Sequence, residues 1–276
     1  MLEDYLSEKQ KRKKEIRRKL WWTFGALMVF VVALFTAWLF IASPLFRVEH
    51  IDVTGNHAVA SDDVIALLRA SAGRQRMFFS WLLGSDNILT WPKELATSDI
   101  ALIPQLADVS IQRNYGSHTL TASVVERVPL AIWCEMPGTD ADGNPSGDES
   151  CFWFDKTGTL FQKAFDTEGS EIFAVHDYSG TGLGIGGKIL PDIFVANMLS
   201  ILDTIKASGL TVEEVALHDI GLEEIDVQTY NGPLLYFSLR FSAAEDLSVL
   251  QSLMAKPNFS TLQYVDFRTE NRAYYK

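Results

Sequence analysis

The sequence contains few cysteines and histidines, the residues from which most zinc sites are built. It has two cysteines, Cys134 and Cys151, and the histidines His118, His176 and His218 are too scattered to complete a zinc site with them. It has no H-E-x-x-H or G-x-S-x-G motif and no local Cys-His-Asp or paired-carboxylate arrangement. Distant carboxylates could still converge in the fold, but the sequence favours a protein that is not an enzyme and has no cofactor.

Basic residues are scarce outside the N-terminus. Residues 1–19 hold eight lysines and arginines against four acids, whereas residues 20–276 hold 16 basic and 31 acidic groups, a net charge of −15. An acidic surface without a basic stripe repels phosphates. The composition therefore argues against a nucleic-acid partner.

One long apolar run stands out. Residues 20–41, LWWTFGALMVFVVALFTAWLFI, carry no charge over 22 positions, which is enough helix to cross the roughly 30 Å hydrocarbon core of a bilayer. A cleaved signal peptide would have a shorter apolar region and an A-x-A-like end, which LFIASP does not supply. We therefore predict an uncleaved anchor, with the basic tail in the cytoplasm and everything after Ala42 outside.

The first segment after the anchor predicts a small α+β domain. Its pattern predicts a strand up to Asn56, a helix that ends at Gly73, a second helix over Pro92–Ile103 and then a hairpin. The apolar residues expected on the hairpin are Val109, Ile111, Leu120, Ala122 and Val124.

The second segment predicts a mainly antiparallel sheet with flanking helices. Two apolar runs, Ala131–Cys134 and Cys151–Phe154, lie on either side of an acidic insert at 136–150 whose composition is typical of disorder. If the runs pair, the cysteines face each other, so we predict a disulfide, with two buried thiols as the alternative. Helices are predicted over Pro191–Ser208 and Ala243–Met254, and strands around 212–218, 224–229, 234–241, 264–267 and 273–275.

A glycine-rich stretch, SGTGLGIGGKI at 179–189, matches the pattern G-x-G-x-x-G and all but the last residue of a P-loop. A P-loop needs Ser or Thr after its lysine, whereas Ile189 follows Lys188. A dinucleotide fingerprint opens directly into a helix, whereas the predicted helix begins only at Pro191. We therefore predict a flexible connection in which glycines permit positive φ angles.

The order of several short motifs resembles a known family. FRVEHIDVTGN, a helix and a hairpin, then ERVPLAIW, FDKTGTLF and the ending YVDFRTENRAYYK are similar to the FtsQ/DivIB cell-division proteins. The resemblance implies a cytoplasmic tail at 1–19, a transmembrane helix at 20–41, a POTRA domain at 42–128 and a β domain at 129–276. It also implies a non-catalytic, single-pass scaffold of the divisome at the septum, which binds FtsB and FtsL to control septal peptidoglycan synthesis.

The resemblance further implies that the chain end binds the partner. An edge strand has unpaired N–H and C=O groups that a partner strand can satisfy, and Thr269–Tyr275 would be that edge, with Tyr274 and Tyr275 as anchors. The alternative is that these tyrosines only pack the chain end. The expected partner-binding residues are Tyr264, Val265, Asp266, Phe267, Arg268, Thr269, Asn271, Ala273, Tyr274 and Tyr275.

Other single-span proteins with a POTRA domain remain as alternatives. They include components of protein assembly or secretion and wall-associated sensors. Secretion components typically repeat the domain or attach it to a transmembrane barrel, and this sequence has one copy and no series of roughly ten-residue, lipid-facing strands.

Overall fold

The N-terminus forms one long helix in the computed structural model, which describes residues 2–41, 43, 46–75, 86–139, 145–146, 149–165 and 172–276. Helix α1 spans Leu2–Ile41 and continues from the basic tail into the apolar run without a break. Its segment Ile16–Leu39 is long and apolar enough to cross a membrane, and none of that segment is buried in the protein. The apolar helix is thus present, four residues earlier at its start than the predicted span at 20–41.

The chain divides into two compact units, which are described separately. The first comprises the residues up to Asp99 together with Asp108–Val124. Its three-stranded sheet has the order β1-β3-β2, with β1 at His50–Thr54, β2 at Leu106–Asn114 and β3 at Thr119–Glu126. Helix α2, Ser61–Gln75, runs two residues past Gly73, where we expected it to end. All five apolar residues predicted for the hairpin are buried, so that prediction is confirmed.

The second helix predicted for this segment is mostly absent. Only Thr97–Ile100, α3, is α-helical within the predicted range Pro92–Ile103. The reason is a competing interaction: the carbonyl of Lys93 accepts a hydrogen bond from the Ile111 N–H at 2.8 Å, and Glu94 forms a bridge with Ser110. Residues 93–94 therefore run extended beside β2, where tertiary pairing overrides local helical preference.

The second unit, Ile100–Ala107 with Val125–Lys276, is built on a nine-stranded sheet. Two short strands, β5 at Gly138–Thr139 and β6 at Pro145–Ser146, pair with each other outside it. The strands of the large sheet are β4 Ala131–Glu135, β7 Ser150–Phe154, β8 Leu160–Ala164, β9 Ala174–Asp177, β10 Val212–Leu217, β11 Glu224–Thr229, β12 Leu234–Ser238, β13 Tyr264–Thr269 and β14 Arg272–Tyr275. Their order is β14-β13-β12-β11-β10-β9-β4-β7-β8.

The large sheet is mixed, with antiparallel pairs in the majority. Strands β9 and β10, β4 and β9, and β12 and β13 pair in parallel, and the other five neighbouring pairs are antiparallel. Three-residue 3-10 turns lie at Ile88–Thr90, Ile220–Leu222 and Phe259–Thr261. The fold class of an apolar helix followed by α+β structure agrees with the sequence prediction.

Two helices cover one face of this sheet. Helix α4, Asp192–Ser208, buries Val195, Met198, Ile201, Leu202 and Ile205, a helical spacing that sets one stripe against the core. It ends at Gly209, whose φ of 75° suits glycine and closes the last turn. Helix α5, Asp246–Met254, adds Leu250 and Leu253 to the same core.

Within the predicted insert at 136–150, Gly138–Thr139 and Pro145–Ser146 form the paired strands β5 and β6. Residues 140–144 and 147–148 lie outside the described residues, so the prediction of disorder stays a prediction there.

One buried carboxylate makes the second unit sensitive to pH. Burial, followed by the nearby charge of Glu245, raises the pKa of Asp246 from 3.8 to about 6. The folded state therefore holds a proton that the unfolded state releases between about pH 4 and pH 6, and stability falls as the pH rises through that window. We expect Asp246→Asn to be up to about 3 kcal/mol more stable than the wild type at pH 7 and similar to it near pH 4.

Urea unfolding of the detergent-solubilised chain, followed by tryptophan fluorescence at both pH values, measures this difference. Asp203→Asn, at an exposed position on α4, is the matched control and should change stability little. An Asp246→Asn protein no more stable than the wild type at pH 7 would contradict the assignment.

Candidate partner-binding edge

Strand β14 lies at one end of the nine-stranded sheet. It pairs antiparallel with β13, with Val265 opposite Tyr275, Asp266 opposite Tyr274 and Thr269 opposite Arg272. The turn between the strands contains Asn271 at a φ of 59°, a conformation that asparagine tolerates better than most residues. The expected edge, Thr269–Tyr275, therefore consists of this turn and β14.

Two of the expected contact residues belong to the core. Val265 and Phe267 are 0% and 1% exposed, and the Phe267 ring stacks on Phe237 with 5.2 Å between centroids. Side chains alternate along a strand, so these two point to the helix-covered face while their neighbours point away. Their side chains cannot contact a partner of the folded protein, which corrects the prediction for these positions.

The other face of β13 carries an ion-pair cluster around Arg268. Its guanidinium donates to Asp266 at 2.7 and 2.9 Å and to Glu224 at 2.8 Å, and it lies 4.7 Å above the Tyr236 ring. The hydrogen bond from Arg268 is the main reason that the pKa of Asp266 is lowered, and the same carboxylates raise the pKa of Arg268. Tyr264 lies beside the cluster, 6.1 Å from Tyr236 between ring centroids. The cluster fixes a polar surface next to the edge strand.

The two tyrosines of β14 are half exposed, at 50% for Tyr274 and 49% for Tyr275. Because they are consecutive in a strand, they lie on opposite faces of the sheet. Lys256 donates a hydrogen bond to the Tyr275 hydroxyl at 3.1 Å and lies 4.7 Å above its ring. Tyr275 is therefore partly held by its own chain, while Tyr274 shares the face of Asp266. Ala273 packs against the core, and Thr269 and Asn271 are exposed.

The backbone of β14 has one bonded side. The Lys276 N–H donates to the Tyr264 carbonyl, and the Gln263 N–H donates to the Lys276 carbonyl. The direction of the backbone N–H and C=O groups alternates along a strand. Those of Tyr274, like those of Lys276, therefore point toward β13, whereas those of Ala273 and Tyr275 point away from it. Among the described strands none lies beyond β14. The edge can thus accept an added strand.

The glycine-rich stretch is anchored rather than loosely attached. The buried Glu135 carboxylate accepts hydrogen bonds from the Thr181 hydroxyl and from the N–H groups of Gly182 and Leu183, each at 2.9 Å. Asp177, which is also buried, accepts from Ser179 and Thr181. Gly180, Gly182 and Gly186 have positive φ angles, as predicted. The flexibility of the connection stays a prediction.

The cysteines face each other across the predicted hairpin. Strands β4 and β7 pair with Cys134 opposite Cys151, and the two sulfur atoms are joined in a disulfide at 2.0 Å. Glu149 lies close enough to form a three-residue group with them that could hold a metal ion. A metal needs thiolates, and sulfurs joined to each other cannot supply them. His118, His176 and His218 each lie beside a different carboxylate, on Glu49, Glu214 and Asp226 respectively.

Sequence reasoning missed an ion pair inside the second unit. The Arg127 guanidinium donates to the Asp155 carboxylate at 2.7 Å and to the Pro104 carbonyl at 3.0 Å. Asp155 also accepts from the N–H groups of Thr157 and Thr159. The motifs ERVP and FDKTG contain the two charged residues, but neither motif indicates that they pair.

Comparison with known proteins supports the resemblance over part of the chain. No protein-family model matches this sequence. The cell division protein FtsQ of Mycobacteroides abscessus is 31% identical to it over 104 residues, which make up 37% of this chain and 29% of that protein. The chain thus matches less than a third of the length of this curated relative. Together with its apolar N-terminal helix, the match confirms that the chain is similar to FtsQ.

Proposed function

We propose that the chain is a membrane-anchored, non-catalytic scaffold of bacterial cell division. The support comes from the similarity to FtsQ and from the apolar helix α1. In this proposal residues 42–128 act as a POTRA domain that helps to place the protein at the division septum. Residues 129–276 act as the β domain that binds the next division proteins.

The proposed topology follows from charge. The tail at 1–19 carries a net charge of +4 and stays in the cytoplasm under the positive-inside rule. The acidic remainder then lies outside the membrane, which is also the compartment where a disulfide persists. An extracytoplasmic location suits a protein whose partners regulate septal peptidoglycan synthesis.

The observation that carries the binding proposal is the position of β14 at the sheet edge. The outward backbone groups of Ala273 and Tyr275 would hydrogen-bond to a strand of an FtsB-type partner, which in turn binds an FtsL-type protein. Tyr274 and the Arg268 cluster would contact side chains of that strand, because residues at alternate positions share a face. Binding would order the partner without any chemical step.

Loss of the edge tyrosines should weaken this binding. Replacing both Tyr274 and Tyr275 by alanine is expected to cost about 2 kcal/mol of binding free energy, or roughly 30-fold in affinity, because exposed aromatic residues often dominate interfaces. The measurement is co-purification and titration of the solubilised chain with FtsB- and FtsL-type proteins from the same genome.

Tyr115→Ala is the matched control, since Tyr115 is 47% exposed and lies in the other unit. Its affinity should equal that of the wild type. If the double variant is folded and binds the partners unchanged, the tyrosines only pack the chain end and the assignment is wrong. If no division protein binds the wild-type chain, the proposed function itself fails.

A further inference from the structure

The sheet has a second terminal strand, β8, at the end opposite β14. Its inner side pairs with β7, with Gln162 opposite Trp153, Lys163 opposite Phe152 and Ala164 opposite Cys151. An extra residue, Phe161, lies between Leu160 and Gln162 relative to the register of β7. The proposed division function makes no use of this edge.

The glycine-rich loop covers the first part of the edge. The Leu160 N–H donates to the Gly187 carbonyl at 2.9 Å, and the Gly186 N–H donates to the Leu160 carbonyl at 2.7 Å. A further bond joins the Ile189 N–H to the Gly158 carbonyl at 2.9 Å. The loop anchored by Glu135 therefore already acts as a short added strand, and it stops at Leu160. No described segment bonds the outer side of β8 beyond that point.

The backbone of Lys163 points outward. The Phe154 carbonyl accepts from the Leu130 N–H at 2.9 Å, so it faces β4 rather than β8. Because backbone groups alternate along a strand, the N–H and C=O groups of Trp153 and Cys151 point toward β8, and those of Phe152 point toward β4. Gln162 and Ala164 consequently bond to β7, while the N–H and C=O of Lys163 point away from the sheet.

The side chains at this edge favour a particular chemistry. Lys163 is exposed, and it forms no ion pair with any of the described residues. Phe165, directly after the strand, is 91% exposed. Residues two apart in an extended chain share a face, so a cation and an aromatic ring lie next to each other on an otherwise acidic protein.

We propose that the Lys163 edge of β8 binds an extended segment of a second protein, with a carboxylate opposite Lys163 and an apolar side chain opposite Phe165. The charge at this edge favours such a second protein over a second copy of the chain as the binding partner. Each copy carries −15 over residues 20–276, and a copy paired antiparallel with Lys163 opposite Lys163 would set two ammonium groups against each other. A carboxylate directly opposite Lys163 stabilises the cross-strand pair instead.

Peptide binding to the detergent-solubilised full chain tests the proposal. The probe is a short N-acetylated peptide in which glutamate and valine alternate with threonine, and the control peptide has lysine in place of glutamate. The glutamate peptide should slow amide hydrogen exchange at Lys163 and Phe165, and Lys163→Glu should weaken its binding about fivefold while strengthening binding of the lysine peptide by a similar factor.

Two further variants distinguish the contribution of backbone hydrogen bonds to peptide binding from the contribution of the Lys163 charge. Lys163→Ala and Lys163→Pro both remove the ammonium group, but only proline removes the outward N–H, and an edge strand tolerates that loss. Lys163→Pro should bind the glutamate peptide at least about tenfold more weakly than Lys163→Ala. Exchange protection confined to β14, equal binding of the two peptides, or self-association through β8 would each overturn the proposal. Binding of division proteins at β14 is independent of these outcomes.

Discussion

Arg127→Ala is expected to lower the free energy of unfolding of the second unit by about 3–5 kcal/mol, the usual cost of leaving a buried charge without its partner. The Arg127 and Asp155 side chains are only 16% and 6% exposed, and their N–O distance is 2.7 Å. The Arg127 side chain also donates to the Pro104 carbonyl at 3.0 Å, whereas the backbone N–H of residue 127, which donates to the Gln105 carbonyl at 2.7 Å, is retained in the variant. Urea unfolding of the solubilised chain at pH 7 measures the loss.

The pH dependence provides a second check on this ion pair. Burial alone would raise the pKa of Asp155, but hydrogen bonds from Thr157 and Arg127 outweigh it and hold the pKa below 3.8. The stabilisation is therefore complete above the unfolded pKa and is lost as the pH falls through the lower folded value. The difference between wild type and Arg127→Ala should shrink in acid.

Arg240→Ala is the control for this variant, because Arg240 is 64% exposed and pairs with Glu223 at 2.6 Å on the surface. Its loss should cost less than about 1 kcal/mol. Equal stability of the Arg127→Ala and Arg240→Ala proteins would show that the buried pair contributes no more than a surface one.

Removal of the disulfide is expected to cost about 3 kcal/mol. The bond closes a loop between residues 17 apart. On the chain-entropy model, removing the bond raises the entropy of the unfolded chain and lowers the free energy of the unfolded state by that amount. The double variant Cys134→Ala/Cys151→Ala should show this loss in urea unfolding. Alanine is preferred to serine here, because serine would place two hydroxyl groups beside the apolar side chains of Ile132 and Trp153.

Chemical reduction distinguishes the effect of breaking the disulfide from the effect of replacing the cysteine side chains. A reductant should destabilise the wild type by a similar amount and leave the alanine variant unchanged. If the stability of the wild type does not change with the reductant, or if the unfolded, unreduced protein has two titratable thiols, the disulfide does not form in the isolated protein.

Local patterns predicted the strongly periodic elements of the second unit well. The strand predicted at 224–229 matches β11, and the helix predicted over Pro191–Ser208 matches α4 with one residue less. The helix predicted over Pro92–Ile103 failed because its backbone groups pair with β2, which lies later in the chain. A local pattern cannot anticipate a partner strand more than ten residues away.

The sequence predicted the candidate partner-binding edge only in part. The alternation of YVDFR already contained the signal that Val265 and Phe267 face the core, because the two apolar residues are two apart. Nothing local indicated that Glu135 holds the glycine-rich loop 46 to 48 residues away, or that Arg127 pairs with Asp155. Such contacts depend on which strands become neighbours in the sheet.

The sequence by itself determined the apolar N-terminal helix, the charge asymmetry on its two sides, the pairing of Ala131–Cys134 with Cys151–Phe154 and the resemblance to FtsQ/DivIB proteins. These properties depend on composition and on short-range periodicity, which are visible along the chain. Only the tertiary structure decided that β14 and β8 end the sheet and that a buried Glu135 holds a glycine-rich loop against the start of the β8 edge at Leu160. Strand order is set by long-range hydrogen bonds and core packing, and these become apparent only when distant segments are brought together.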